Sequence, residues 1–189
     1  MHIKQAIYFI FGLALIILSG CGPLFKVAPL PKSPPADLVT ATAPNGLEVG
    51  ASALTDDISA IEQFGANLPL AGLVAVKVEL MNRGTEPIKA SALRFELRDA
   101  AGGRYQRLET KKALGRLMKY YQKRTYLKES YRQTRESMES LALPLSSPLA
   151  PQEKRHGFIF FEAKQDVARL TGLTLSMEGG PSPIELKLK

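Results

Sequence analysis

The sequence predicts a mainly-β fold, an antiparallel β-sandwich interrupted by a long basic helical insertion. Three observations carry this. Apolar and polar residues alternate with period two over residues 47–51, 74–80, 93–97, 173–177 and 184–188. Turn formers separate these stretches, as in Asn82-Arg83-Gly84-Thr85-Glu86-Pro87 and over residues 99–103. Between residues 108 and 141 the pattern becomes helical and proline-free, with Gly115 the only glycine. Short strands with turns between them suit two sheets closing on one core.

The chain opens on a short segment carrying Lys4, then an apolar run over residues 6–18. That run is shorter than the ~20 residues that cross a bilayer core, but it fits the apolar part of a secretory signal. Leu18-Ser19-Gly20-Cys21 follows, and Cys21 is the only cysteine of the chain. These residues resemble the lipobox of bacterial lipoproteins. The resemblance implies that residues 1–20 are a signal peptide and that Cys21 is acylated on its thiol and its new amino terminus. It places the protein on the cell membrane or outer membrane, facing the periplasm or the exterior. Gly22, where an aspartate would favour inner-membrane retention, inclines this toward the outer membrane of a two-membrane cell. A lone cysteine closes no internal disulfide, whereas two or more acyl chains give stable anchoring. This compartment argues against nucleic-acid partners.

Residues 21–44 hold Pro23, Pro29, Pro31, Pro34, Pro35 and Pro44. Proline neither donates to a sheet nor continues a helix, so the expectation is an extended, semi-rigid tether. The folded part is then residues 45–189. Its first helical signal is Asp56 or Asp57 as N-cap, with Ile58, Ile61 and Phe64 on one side and Gly65 as the stop. The paired aspartates do not make a calcium loop, because no D-x-D-x-D-G pattern surrounds them. Val74, Val76, Val78 and Leu80 alternate with Ala75, Lys77 and Glu79 as a half-buried strand. Tyr105 opens a short strand, and residues 157–162 form an aromatic, buried one. The expected core is Val76, Val78, Phe95, Leu97, Phe160 and Leu175.

The run from Val74 to Pro87, with the later Pro151-to-Gly157 turn leading into Phe158-Ile159-Phe160-Phe161, resembles immunoglobulin-like modules of bacterial envelope lipoproteins, the DUF4352 type. The resemblance implies an immunoglobulin-like sandwich and an envelope location. It carries no catalytic residues, and the long insert departs from it.

Charge is concentrated in that insert. The chain has 25 Lys and Arg against 18 Asp and Glu, a net +7. Residues 104–135 hold 11 Lys and Arg against Glu109 and Glu129, so 11 − 2 = +9. Without Lys4 the mature side chains sum to 24 − 18 = +6, which leaves 6 − 9 = −3 for the remainder. Leu114, Leu117, Met118 and Tyr121 form one stripe at helical spacing; Lys112, Arg116, Lys119 and Lys123 form a nearly opposite one. Beyond residue 123 the apolar stripe shifts to Tyr120, Leu127, Tyr131 and Met138, which predicts a bend or break. Leu143-Pro144 and Ser147-Pro148 end the segment.

The basic stripe is either a solvated face or a surface for an anionic polymer, lipid head group or acidic protein. Nothing points to catalysis. His156 has no nearby orienting carboxylate beyond Glu153, and no nucleophile elbow, phosphate loop or zinc motif occurs. No metal or cofactor is expected. The function expected is a non-enzymatic, membrane-anchored binding or scaffolding module. The alternatives are a lipoprotein subunit of a multi-protein envelope or secretion assembly, and a carboxylate-dependent hydrolase.

Overall fold

The computed structural model describes residues 22–31, 37–123, 126–163, 167–180 and 182–188. Residues 1–21, with the apolar run and Cys21, lie outside them. Eight strands make one antiparallel sheet: β1 Val39–Thr42, β2 Leu47–Leu54, β3 Leu73–Asn82, β4 Arg94–Arg98, β5 Arg104–Leu108, β6 Lys154–Glu162, β7 Thr174–Glu178 and β8 Ile184–Lys187. Their order in space is β1-β2-β3-β6-β5-β4-β7-β8. The helices are α1 Asp57–Phe64, α2 Thr110–Tyr120 and α3 Lys128–Leu141.

β5 is where the sheet turns. Arg104 and Tyr105 pair with Arg98 and Leu97 of β4, while Gln106, Arg107 and Leu108 pair with Glu162, Phe161 and Phe160 of β6. The sheet curls far enough that β1 approaches β8, its two ends in the strand order. Inside the curl lie Val49 and Ala51 of β2, Val76 and Val78 of β3 and Phe161 of β6. They pack with Phe95 and Leu97 of β4 and with Leu175 and Leu186 from β7 and β8. The period-two pattern of the sequence delivers this face.

A second cluster lies on the other side of β3 and β6. Leu73, Ala75, Phe158 and Phe160 are buried there against Phe64 of α1, Leu114 and Leu117 of α2, and Met138 and Leu141 of α3. Phe160 therefore belongs under the helices, with its ring 5.6 Å from that of Phe64. Its expected place in one core with Phe95 is corrected. Likewise β3 is buried on both faces rather than half-buried: Lys77 is only 2% exposed. The cause in both cases is the cover of helices and N-terminal chain over this face.

α1 has the expected ends. The Ser59 amide donates to Asp56 Oδ1 at 2.8 Å, and Gly65 takes the left-handed conformation, φ 63°. Its packed face differs in part from expectation: Phe64 is buried as expected, together with Ala60 and Gln63, while Ile58 is 71% and Ile61 49% exposed. The buried face is completed by a polar residue. Gln63 Nε2 donates to the Ala28 carbonyl, and the Ala28 amide donates back to the Gln63 carbonyl, both at 2.7 Å.

That exchange also corrects the expected tether. Residues 24–30 are packed into the helical cluster, with Phe25 buried and its ring 5.4 Å from that of Tyr121. The Leu24 amide donates to Thr134 Oγ1 of α3 at 2.7 Å. Residues 39–42 then add a strand to the sheet edge. Proline removes donors from a segment but leaves its carbonyls and apolar side chains free to dock.

The turn after β3 is built on Asn82, which is fully buried. Its side chain donates to the Glu86 and Leu149 carbonyls at 2.8 and 3.1 Å and accepts from the Gly84 amide at 3.0 Å. After α3 the chain returns along β6. A Cβ on Gly157 would stand 2.5 Å from the Leu143 nitrogen, so only glycine admits this approach.

Candidate functional site

The insert consists of two helices, and the break between them is a defined structure. Gln122 has φ 52°. Its amide donates to the Lys119 carbonyl at 3.2 Å, and the Lys123 amide reaches the Met118 carbonyl at 2.9 Å. This is the left-handed helix stop usually made with glycine. Because glutamine occupies the position, composition alone signals no end here.

α2 buries Ala113, Leu114, Leu117 and Met118. Tyr121 sits at the rim, where its hydroxyl accepts the Asn67 amide at 2.8 Å. The four nominated basic residues separate into two roles. Lys112, Lys119 and Lys123 are exposed, with no ion pair among the described residues. Arg116 is only partly exposed and is tied down. Its guanidinium pairs with Glu162 of β6, and its Nε donates to the Ala71 carbonyl at 2.8 Å. Arg116 thus clamps α2 to the sheet, and its place on a free basic face is corrected.

The apolar stripe expected on the second helix holds at Met138 and in part at Tyr131, which packs against the helical cluster, and is corrected at Tyr120 and Leu127. α3 buries Ser130, Thr134, Met138 and Leu141, while Leu127 and Tyr120 stay exposed. Thr134 fits the buried stripe because its hydroxyl donates to the Ser130 carbonyl at 2.9 Å and accepts the Leu24 amide. A stripe half made of hydroxyl residues escapes a search for apolar periodicity.

Charge is distributed unevenly between the two helices. α3 is neutral: Lys128, Arg132 and Arg135 against Glu129, Glu136 and Glu139, 3 − 3 = 0. Arg132 bridges Glu129 and Glu136 at 2.6 and 2.9 Å. Arg132, with Gln133, holds the Glu129 carboxyl below its usual range. Residues 110–127 hold six Lys and Arg and no acid. The net basic surface is therefore α2 and the turn after it.

Between α2 and α3 lies an open groove of about 430 Å3, lined by Met118, Lys119, Lys123, Tyr126 and Tyr131 among others. Tyr126 and Tyr131 stack at 5.5 Å, and Tyr120 meets Tyr121 edge-on at 5.1 Å. Tyr126 is 43% and Leu127 54% exposed. Aromatic and aliphatic side chains thus stand in water beside uncompensated lysines.

A second cavity, of about 400 Å3, lies beside the docked N-terminal chain and reaches Lys77, Ser52, Asp37, Glu62 and Gln63. Within it Ser52 Oγ donates to Asp37 at 2.8 Å, and the Lys77 ammonium is 3.8 Å from Glu79. His156 is exposed on β6 opposite Glu79, away from both cavities. Among the described residues no three His, Cys, Asp or Glu side chains form a metal-binding group, and no helix is long and apolar enough to cross a membrane.

No known protein-family model matches the chain, and no curated protein matches it. Two solved structures overlap it loosely. One is an ApaG protein from Pseudomonas aeruginosa, 14% identical, covering 73% of this chain and 99% of its own, with a TM-score of 0.36. The other is a conserved hypothetical protein from Bacillus anthracis, 14% identical, covering 78% and 92%, with a TM-score of 0.37. Overlap this loose says nothing of what this chain does.

Proposed function

We propose that the chain is a lipid-anchored cell-envelope protein, a non-enzymatic binding or scaffolding module held to the cell membrane or outer membrane through Cys21. The observation that carries the reading is the junction of Leu18-Ser19-Gly20-Cys21 with a folded domain whose packing starts at Leu24. A signal-like segment ends, a lone cysteine follows, and three residues later begins a segment that packs on the helices through Phe25. We read the curled sheet as an immunoglobulin-like sandwich, supported by the cluster enclosed between β2-β3-β6 and β4-β7-β8. Binding is assigned to the α2 side, where Lys112, Lys119 and Lys123 offer charge that no carboxylate of the described residues pairs.

The test is Cys21→Ser in the full chain, followed by cell fractionation. Wild-type protein is expected in the membrane fraction and the variant in the soluble envelope or uncleaved. Equal sedimentation of a processed variant overturns the anchor.

A further inference from the structure

We propose that the end of α2 and the start of α3, around Tyr120, Lys123, Tyr126 and Leu127, rest on an anionic lipid bilayer, so that the domain lies against the membrane that anchors it. The inference rests on the lipid-anchor reading and adds an orientation to it. Cys21 and Leu24 are three residues apart, and a chain spans at most about 3.6 Å per residue. The Leu24 amide donates to Thr134 Oγ1 at 2.7 Å, so chain length alone keeps the acylated residue within about 14 Å of that hydroxyl of α3. A free tether would permit any orientation; a docked one selects this face.

The face selected has the chemistry of an interfacial surface. Phe25 meets Tyr121, and Tyr121 meets Tyr120, so two ring contacts lead from the docked segment to the exposed end of α2. Tyr126 and Leu127 stand exposed at the start of α3. Tyrosine is favoured at the water–lipid boundary, where its ring is buried and its hydroxyl hydrated. Lys119 and Lys123 line the groove with Tyr126, Lys128 follows Leu127 in the chain, and none of the three has an ion pair among the described residues. Lysine stems reach over apolar surface while the ammonium stays with head groups. The remaining charges of α3, Arg132 and Arg135 against Glu129, Glu136 and Glu139, are tied in ion pairs and sum to 2 − 3 = −1, so little repulsion opposes contact with anionic lipid. Each lysine near such a surface raises binding roughly fivefold at low salt, and added salt screens the attraction.

The experiment uses full-length acylated protein in vesicles of phosphatidylglycerol and phosphatidylcholine containing a nitroxide-labelled head group. One dye is attached through Leu127→Cys, or through Glu185→Cys on β8 as the distant control. Quenching at position 127 is expected to exceed that at 185 at least threefold. The excess should fall with 0.5 M salt, in purely phosphatidylcholine vesicles, and in Lys119→Gln/Lys123→Gln/Lys128→Gln, while the protein stays vesicle-bound through its lipid. Equal quenching at both positions in vesicle-bound protein overturns the proposal and leaves the lysines to a polyanion or acidic protein. A Cys21 thiol that reacts with maleimide, with wild-type protein in the supernatant, overturns the anchor and this orientation with it.

Discussion

Gly65 and Lys26 meet backbone to backbone. A Cβ on Gly65 would stand 2.5 Å from the Lys26 nitrogen and 2.8 Å from its carbonyl oxygen. The residue that stops α1 is thus also the floor on which the N-terminal segment lies. Beside it, the Ala28–Gln63 exchange fixes the segment's path, and Phe25 and Thr134 fix its start.

Gly65→Ala is therefore expected to act on two elements at once. The left-handed backbone alone costs about 1–2 kcal/mol for alanine, and the added methyl must displace Lys26. Thermal stability should fall, and the Ala28 amide should exchange with solvent faster than the amides of β3. If Ala28 protection is unchanged, the segment is not held against α1.

Phe95 and Phe160 lie on opposite faces of the sheet, in separate clusters. Replacing either by alanine should cost about 3–5 kcal/mol. The two losses should add to within about 0.5 kcal/mol, because the rings share no cluster. Denaturant melts of both single variants and the double variant measure this. A coupling above about 1 kcal/mol would put both rings in one core.

Asp56 gives the fold a local pH dependence. The Ser59 amide is the main cause that holds its carboxyl below the usual value. A carboxylate with a lowered folded pKa stabilises the native state above its unfolded pKa and loses that contribution as pH falls through the folded value. Asp56→Ala should cost about 1 kcal/mol at neutral pH. The gap from wild type should narrow below about pH 4, whereas Asp56→Asn should remove the pH dependence with little loss of capping. A gap that stays constant from pH 7 to pH 3 would mean that the charge does not contribute.

The sequence showed β3, β4, β7 and β8 to within a residue or two at each end, because alternation is a local consequence of the pleat, but only the first five residues of β2, the opening of β5 and the second part of β6. It also determined the ends of α1, since an N-cap aspartate and a left-handed glycine act within one turn. The break near residue 123 was legible from the shift of the apolar stripe, although the Gln122 stop was not. Tertiary structure alone decided which side of a buried strand faces which core. In Phe158-Ile159-Phe160-Phe161 every side chain is apolar, so no pattern separates the inner face from the helical one. It also decided the faces of α1 and α3, where Gln63 and Thr134 are buried because the Ala28 carbonyl and the Leu24 amide, distant in sequence, satisfy them. The same holds for Arg116, which is paired through Glu162 of β6 rather than solvated. Above all, the proline-rich segment was decided by its surroundings. Its composition excludes helix and central strand, but whether it extends into water or docks depends on a groove formed by α1, α2 and α3. That groove exists only once they have packed on the sheet.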